Sequence, residues 1–137
     1  MAAHILIAED EPDIRDFLVA VVRSGGHEAV EAANGAEVLR RLAEPAPDLV
    51  LMDLHMPVLS GLDAMEQIAA VPGWANVPVV FLTASGYSDD MVRARSLGAR
   101  GYLVKPIRLA DLLAKIAMVL EDKSLLWLDD ITRSRAT

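Results

Sequence analysis

The sequence contains no cysteine, which excludes a disulfide framework and any thiolate-ligated metal and fits a reducing compartment. Long apolar runs are missing as well. The longest falls well short of the roughly 18 to 20 residues that cross a bilayer, and the N-terminus has no basic start leading into an extended apolar stretch. Neither a membrane span nor a secretion signal is expected, and a cytoplasmic location is. Positive charge is scarce: 20 Asp and Glu stand against 13 Lys and Arg, a formal net charge of -7. Such a surface repels a phosphate backbone, so direct nucleic-acid binding is not expected; Arg133 and Arg135 near the C-terminus are too few to reverse the balance. The glycine patterns of P-loops and dinucleotide-binding turns are absent, and no Ser-His-Asp arrangement is suggested.

What is present is an alternation. At 137 residues the chain fits one domain that buries roughly two thirds of its unfolded surface. Short β-type runs at 4–8, 27–31, 48–52, 77–82 and 100–104 alternate with segments of helical period, the pattern of βαβ units and a parallel sheet. The first helix reads from Pro12 through Ile14, Phe17, Leu18, Val21 and Val22 to Gly25-Gly26. Asn34 is placed to cap the second, with Val38, Leu39 and Leu42 inward and Pro45 beyond its end. Ser60-Gly61 opens the third, with Leu62, Met65, Ile68 and Ala69 at helical spacing. Ser88-Asp89-Asp90 caps and charges the fourth, which stops at Gly98. Ile107 to Leu120 makes the fifth, with Leu109, Leu112, Leu113, Ile116 and Leu120 as its stripe. The domain is expected over 1–121. Residues 122–137 form a C-terminal extension, either a tail or a continuation of the last helix, because the stripe runs on through Trp127 and Ile131.

Four apolar runs end in a polar residue: Glu9-Asp10 after Ile5-Leu6-Ile7-Ala8, Asp53 after Leu49-Val50-Leu51-Met52, Thr83 after Val79-Val80-Phe81-Leu82, and Lys105 after Tyr102-Leu103-Val104. Open α/β sheets bind ligands outside the C-terminal ends of their strands. With strand order 2-1-3-4-5, the flavodoxin-like doubly wound arrangement, strands one and three are neighbours and their carboxylates converge. Glu9, Asp10 and Asp53 would repel one another unless a hard divalent cation such as Mg²⁺ sat among them. Lys105 adds a point charge and Thr83 a hydroxyl, the parts needed to gather phosphate oxygens. The only nucleophile at the centre is a carboxylate, and carboxylates form aspartyl phosphates. The expected reaction is transfer of a phosphoryl group to Asp53, by positioning and charge neutralisation.

Over residues 3–121 the chain resembles the receiver domain of bacterial two-component response regulators. The resemblance rests on Glu9-Asp10, on Asp53 with Met56-Pro57 and Gly61, on Thr83-Ala84, and on Lys105-Pro106. It implies that Asp53 takes phosphate from a histidine kinase or phosphotransfer protein, with Mg²⁺ held by Asp10, Asp53, the main-chain carbonyl of His55 and, often through water, Glu9. Lys105 would pair with the phosphate, the Ala84 backbone would line it, and Thr83 would shift towards it. Tyr102 matches an aromatic that turns inward afterwards. Output would be altered binding of a protein target through the face made by the fourth helix, fifth strand and fifth helix. A homodimer is compatible with this, and the family also suggests a cis Lys105-Pro106 bond. The chain departs from winged-helix regulators in having Arg100-Gly101 where an acidic pair is usual, which puts their dimer salt bridges in doubt. Without an output domain after residue 121, a single-domain regulator or an N-terminal fragment is expected. His55 and Ser85 occupy positions that tune phosphate lifetime in the family.

Two other functions compete. A receiver-like interaction module would keep the fold and work unphosphorylated; the complete set of polar strand ends argues against it. A haloacid-type phosphatase also uses an aspartate nucleophile and Mg²⁺, but resembles Asp-x-Asp there, and the residue two after Asp53 is His55. The expectation is therefore a switch that assists only its own phosphorylation and dephosphorylation, not an enzyme. His4 and His27 are expected at the surface or strand edges, Trp74 over a core edge, and the scattered methionines as core filling. Trp127 suits packing of the tail and partner contact equally.

Overall fold

The computed structural model describes residues 2–84, 89–121 and 128–129. Each apolar run becomes a strand: β1 (His4–Ala8), β2 (Glu28–Ala32), β3 (Leu49–Asp53), β4 (Val79–Thr83) and β5 (Gly101–Val104). Between them lie α1 (Pro12–Ser24), α2 (Gly35–Arg41), α3 (Gly61–Ala70) and α4 (Asp89–Ser96), and α5 (Leu109–Glu121) follows. All strand pairs are parallel, in the order β2-β1-β3-β4-β5. Every residue of β3 and β4 is buried, as expected of inner parallel strands covered on both faces, whereas β2 at the edge is only partly covered.

Side chains alternate between two cores. Leu6, Val50, Met52, Phe81 and Tyr102 point to the face covered by Val38 of α2, Leu62 and Ile68 of α3, and Met91 of α4. Ile5, Ile7, Leu51, Leu82 and Leu103 point to the opposite face, under Leu18 and Val22 of α1 and Leu112 and Ile116 of α5. The sheet is doubly wound. Local chemistry starts the helices where the sequence places them. Pro12 occupies the first turn of α1. The Asn34 side chain accepts the Glu37 N–H at 2.9 Å, and the Ser60 hydroxyl accepts the Asp63 N–H at 3.2 Å. Trp74 is buried, and its ring N–H donates to the Glu44 carbonyl.

Several boundaries differ from the sequence reading. Asp48 lies outside β3 because its carboxylate accepts the His4 N–H, and Pro78, which lacks an N–H, precedes β4. The fifth helix begins at Leu109, not Ile107, and Leu109 is half exposed rather than part of the inner stripe. Phe17 is also exposed: the buried arc of α1 runs through Leu18, Val19, Val21 and Val22, which leaves Phe17 outside it. A further strand, β6 (Leu128–Asp129), pairs parallel with the outer edge of β5. At these two positions the extension is strand and not a continued helix. Ser85, Ser88, Trp127 and Ile131 lie outside the described residues. Among the described residues, no helix is long and apolar enough to cross a membrane.

Candidate functional site

The chain leaves β1 towards β2 on one side, while β3 lies on the other, so the C-terminal ends of β1 and β3 flank the crevice where the winding changes direction. Asp53 is the last residue of β3, and Glu9-Asp10 directly follow β1. One carboxylate oxygen from each of Glu9, Asp10 and Asp53 lies within 4.8 Å of the others. The Lys105 ammonium, just past β5, reaches across to Glu9 Oε1 at 2.7 Å and Asp53 Oδ2 at 2.9 Å.

Backbone contacts fix these groups. Glu9 is fully buried; its N–H donates to the Ala32 carbonyl, and its Oε2 accepts the Asp10 N–H at 3.0 Å. Asp53 Oδ1 accepts the His55 N–H at 3.1 Å. The loop after β3 is held by Leu54 N–H to the Leu82 carbonyl and Gly61 N–H to the Leu54 carbonyl. This draws α3 against the strand end so closely that a Cβ at position 61 would lie 2.2 Å from the Asp53 carbonyl oxygen. Only glycine fits there.

Thr83 is buried at the end of β4, opposite Val104, and its carbonyl accepts the Lys105 N–H at 2.7 Å. Ala84 follows it and is exposed. The Lys105-Pro106 bond is cis. The structure thus brings Glu9, Asp10, Asp53, Thr83 and Lys105 to one sheet end. Tyr102 stands apart, fully buried and already inward, paired across the ladder with Phe81. The His55 ring is exposed and lies 3.6 Å from the Asp90 carboxylate at the start of α4.

The electrostatics separate the carboxylates. Burial pushes Glu9 up to about 7, aided by its hydrogen bond with Asp53, although Lys105 pulls it down. Burial also raises Asp53, but hydrogen bonds from Glu9, Lys105 and the His55 N–H outweigh it and hold Asp53 below its ordinary value. For Lys105 burial lowers the pKa, and its bonds to Glu9 and Asp53 more than restore it, so it stays a cation. Between Glu9 and Asp53, Asp53 is therefore the one that favours its ionised form and Glu9 the one that holds a proton more tightly. The three carboxylates offer oxygen ligands to a hard cation, and the anion at Asp53 is available as a nucleophile.

Two features escaped the sequence reading. Arg15 donates from Nη1 to the Glu9 carbonyl at 2.7 Å and from Nε to Glu31 at 3.3 Å, pinning the loop that carries Glu9-Asp10. The available signal was a cation near the N-terminal end of a helix, where the dipole disfavours it. Beside Lys105 lies an open, mostly apolar hollow of about 550 Å³ lined by Ile14, Phe17, Pro106 and Ile107. Its signal was Phe17, an aromatic at the margin of the stripe on α1.

Residues 5–117 match the response regulator receiver domain family. The chain is 34% identical over 133 residues to the phosphate regulon transcriptional regulatory protein PhoB of Shigella flexneri, covering 97% of this chain and 58% of that one. It is 42% identical over 116 residues to the transcriptional regulatory protein PdtaR of Mycobacterium tuberculosis, covering 84% and 55%. The chain spans about half the length of the curated relatives it matches. Among solved structures, the chemotaxis response regulator CheY4 of Vibrio cholerae superposes with a TM-score of 0.83 at 27% identity, covering 88% of this chain and 100% of that one. The receiver domain of a sensor histidine kinase from Pseudomonas aeruginosa, solved with a magnesium ion in its active site cleft, gives 0.79 at 31% identity, covering 88% and 98%.

Proposed function

The chain belongs to the response regulator receiver family, and on that premise we propose that Asp53 is the phosphoacceptor of a signalling switch. The observation that carries this reading is the Asp53 carboxylate itself. It is held by Lys105 at 2.9 Å and the His55 N–H at 3.1 Å, two donors that favour its ionised form, and is flanked by Glu9 and Asp10. A carboxylate oxygen of Asp53 attacks the phosphorus of a phosphohistidine on a kinase or phosphotransfer protein. The new O–P bond forms as the P–N bond breaks, and the leaving imidazole takes up a proton.

The donor set fits a hard divalent cation: three carboxylates converge, and Lys105 offsets only part of their charge. Asp10, Asp53 and the His55 carbonyl would hold Mg²⁺, with Glu9 reaching it through water. When bound, Mg²⁺ neutralises phosphoryl oxygens. Lys105 pairs with the transferred group, while the Thr83 hydroxyl and the Ala84 backbone receive its other oxygens.

Phosphorylation turns a carboxylate of one negative charge into an acyl phosphate of nearly two, with three further acceptor oxygens, and that change biases a two-state element. Thr83, Tyr102 and the face of α4, β5 and α5 form that element, which presents residues 1–121 as a cytoplasmic switch to a downstream protein. Lifetime is set in part by His55, and the chain does no further chemistry than on its own Asp53. Intact-mass measurement after acetyl phosphate and Mg²⁺ tests this. One phosphoryl adduct is expected, absent in Asp53→Ala. No adduct in either protein would favour a receiver-like module that binds unphosphorylated, and multiple turnover on small phosphate esters would favour a phosphatase.

A further inference from the structure

β5 pairs with β4 along one edge and with β6 along the other, Gly101 opposite Leu128 and Tyr102 opposite Asp129. Without β6, β5 would end the sheet with a row of unpaired N–H and C=O groups, a template for any extended segment. That edge runs between α4, which packs on one sheet face, and α5, which packs on the other. It lies in the middle of the face assigned above to output. The segment from β5 through α5 to β6 repeats the βαβ unit on which the fold is built, and the occupant of the edge is the chain itself.

Among the described residues β6 (Leu128–Asp129) is an outer strand of the sheet, paired with β5, and outer elements open more readily than inner ones. The strand it covers leads directly into the phosphoacceptor site. Lys105 continues β5, donates its N–H to the Thr83 carbonyl and bridges Glu9 and Asp53 with its ammonium. A phosphoryl group on Asp53 must re-pair both Lys105 and Thr83, which lie at the ends of adjacent strands. Any resulting displacement of β5 is passed to the ladder it shares with β6.

We propose that β6 is an autoinhibitory strand, an internal occupant of the β5 edge that is released when Asp53 carries a phosphoryl group. The proposal rests on the phosphoacceptor reading of Asp53. Hydrogen exchange read by mass spectrometry on the full chain, in Mg²⁺ alone and in Mg²⁺ with beryllofluoride as the phosphoryl mimic, tests it. With beryllofluoride, residues 101–104 and 128–129 are expected to exchange at least tenfold faster while β1 is unchanged. A double variant, Leu128→Pro with Asp129→Pro, removes both N–H groups of β6 and touches nothing at Asp53. It is expected to show the fast pattern at 101–104 without beryllofluoride and still to bind it. Equal rates at 128–129 in both states, or slow exchange at 101–104 in the double variant, would overturn the proposal. Native mass spectrometry for the beryllofluoride adduct separates the two readings. An adduct with unchanged exchange overturns the release alone, whereas no adduct removes the phosphoacceptor reading and the release with it.

Discussion

Lys105 is the residue on which the two buried carboxylates depend, since its ammonium lies 2.7 Å from Glu9 and 2.9 Å from Asp53. Lys105→Met leaves those carboxylates facing each other without a cation, and one must hold a proton more tightly. Phosphorylation of Asp53 by acetyl phosphate is expected to slow at least tenfold; a rate within twofold of wild type would show that the ammonium is dispensable. Gly61 acts by what it lacks. Its Cβ would meet the Asp53 carbonyl at 2.2 Å, so Gly61→Ala should cost about 3 kcal/mol and slow phosphorylation by displacing Asp53, readable from urea unfolding alongside the kinetics. At this scale the sequence was informative because each polar residue interrupted an apolar run abruptly, as at Asp53 and Lys105. Arg15 offered only its unfavourable place near a helix N-terminus: its bond to the Glu9 carbonyl joins a helix to a loop through the backbone, and no spacing encodes that.

Among the elements, β3 and β4 were easiest to read, because strands buried on both faces are written as unbroken apolar runs. α2 and α3 followed from Asn34 and Ser60, whose side chains accept the N–H three residues on. Asn34→Ala should accordingly lower stability by about 1 kcal/mol without changing phosphorylation. The loop from β3 to α3 stores the opposite kind of energy. Val58 is 81% exposed and holds φ at 72°, a left-handed conformation that a β-branched residue resists. Val58→Gly is expected to raise stability by about 1 kcal/mol, and an unchanged or lower melting temperature would count against that strain. What stayed hidden was β6. Leu125-Leu126-Trp127-Leu128 carries no period that separates strand from helix, and the partner that makes Leu128–Asp129 a strand is β5, far back in the chain. Phe17 misled for a related reason: a helical stripe gives the width of the buried arc but not which of its margins the sheet covers.

For the whole molecule, the carboxylate cluster sets how stability responds to acid. Glu9 protonates at about 7 in the folded chain against an ordinary 4.5. Between those values the fold keeps a proton that the unfolded chain releases, so stability falls as pH rises through that window and is level above it. The difference amounts to at most about 3 kcal/mol. Asp53 runs the other way. Its pKa is depressed, so its contribution is present above the ordinary 3.8 and is lost as pH falls below it. Urea unfolding without metal should therefore be most resistant, as far as this site is concerned, between those two ordinary values. Saturating Mg²⁺ should flatten the decline towards pH 7, because the cation favours ionised Glu9 and Asp53. A metal-free stability that climbs steadily from pH 5 to 8 would contradict the assignment of the proton to Glu9.

The bond between Lys105 and Glu9 joins residues 96 positions apart in the chain. In synthesis the carboxylates of the site therefore emerge long before the cation that pairs with them, which follows β5. A chain not yet extended to Lys105 carries the acidic loops but not the ammonium that pairs with Asp53 and Glu9. On the proposed reading of Asp53, readiness for phosphoryl transfer would therefore report that the sheet as far as β5 is in place.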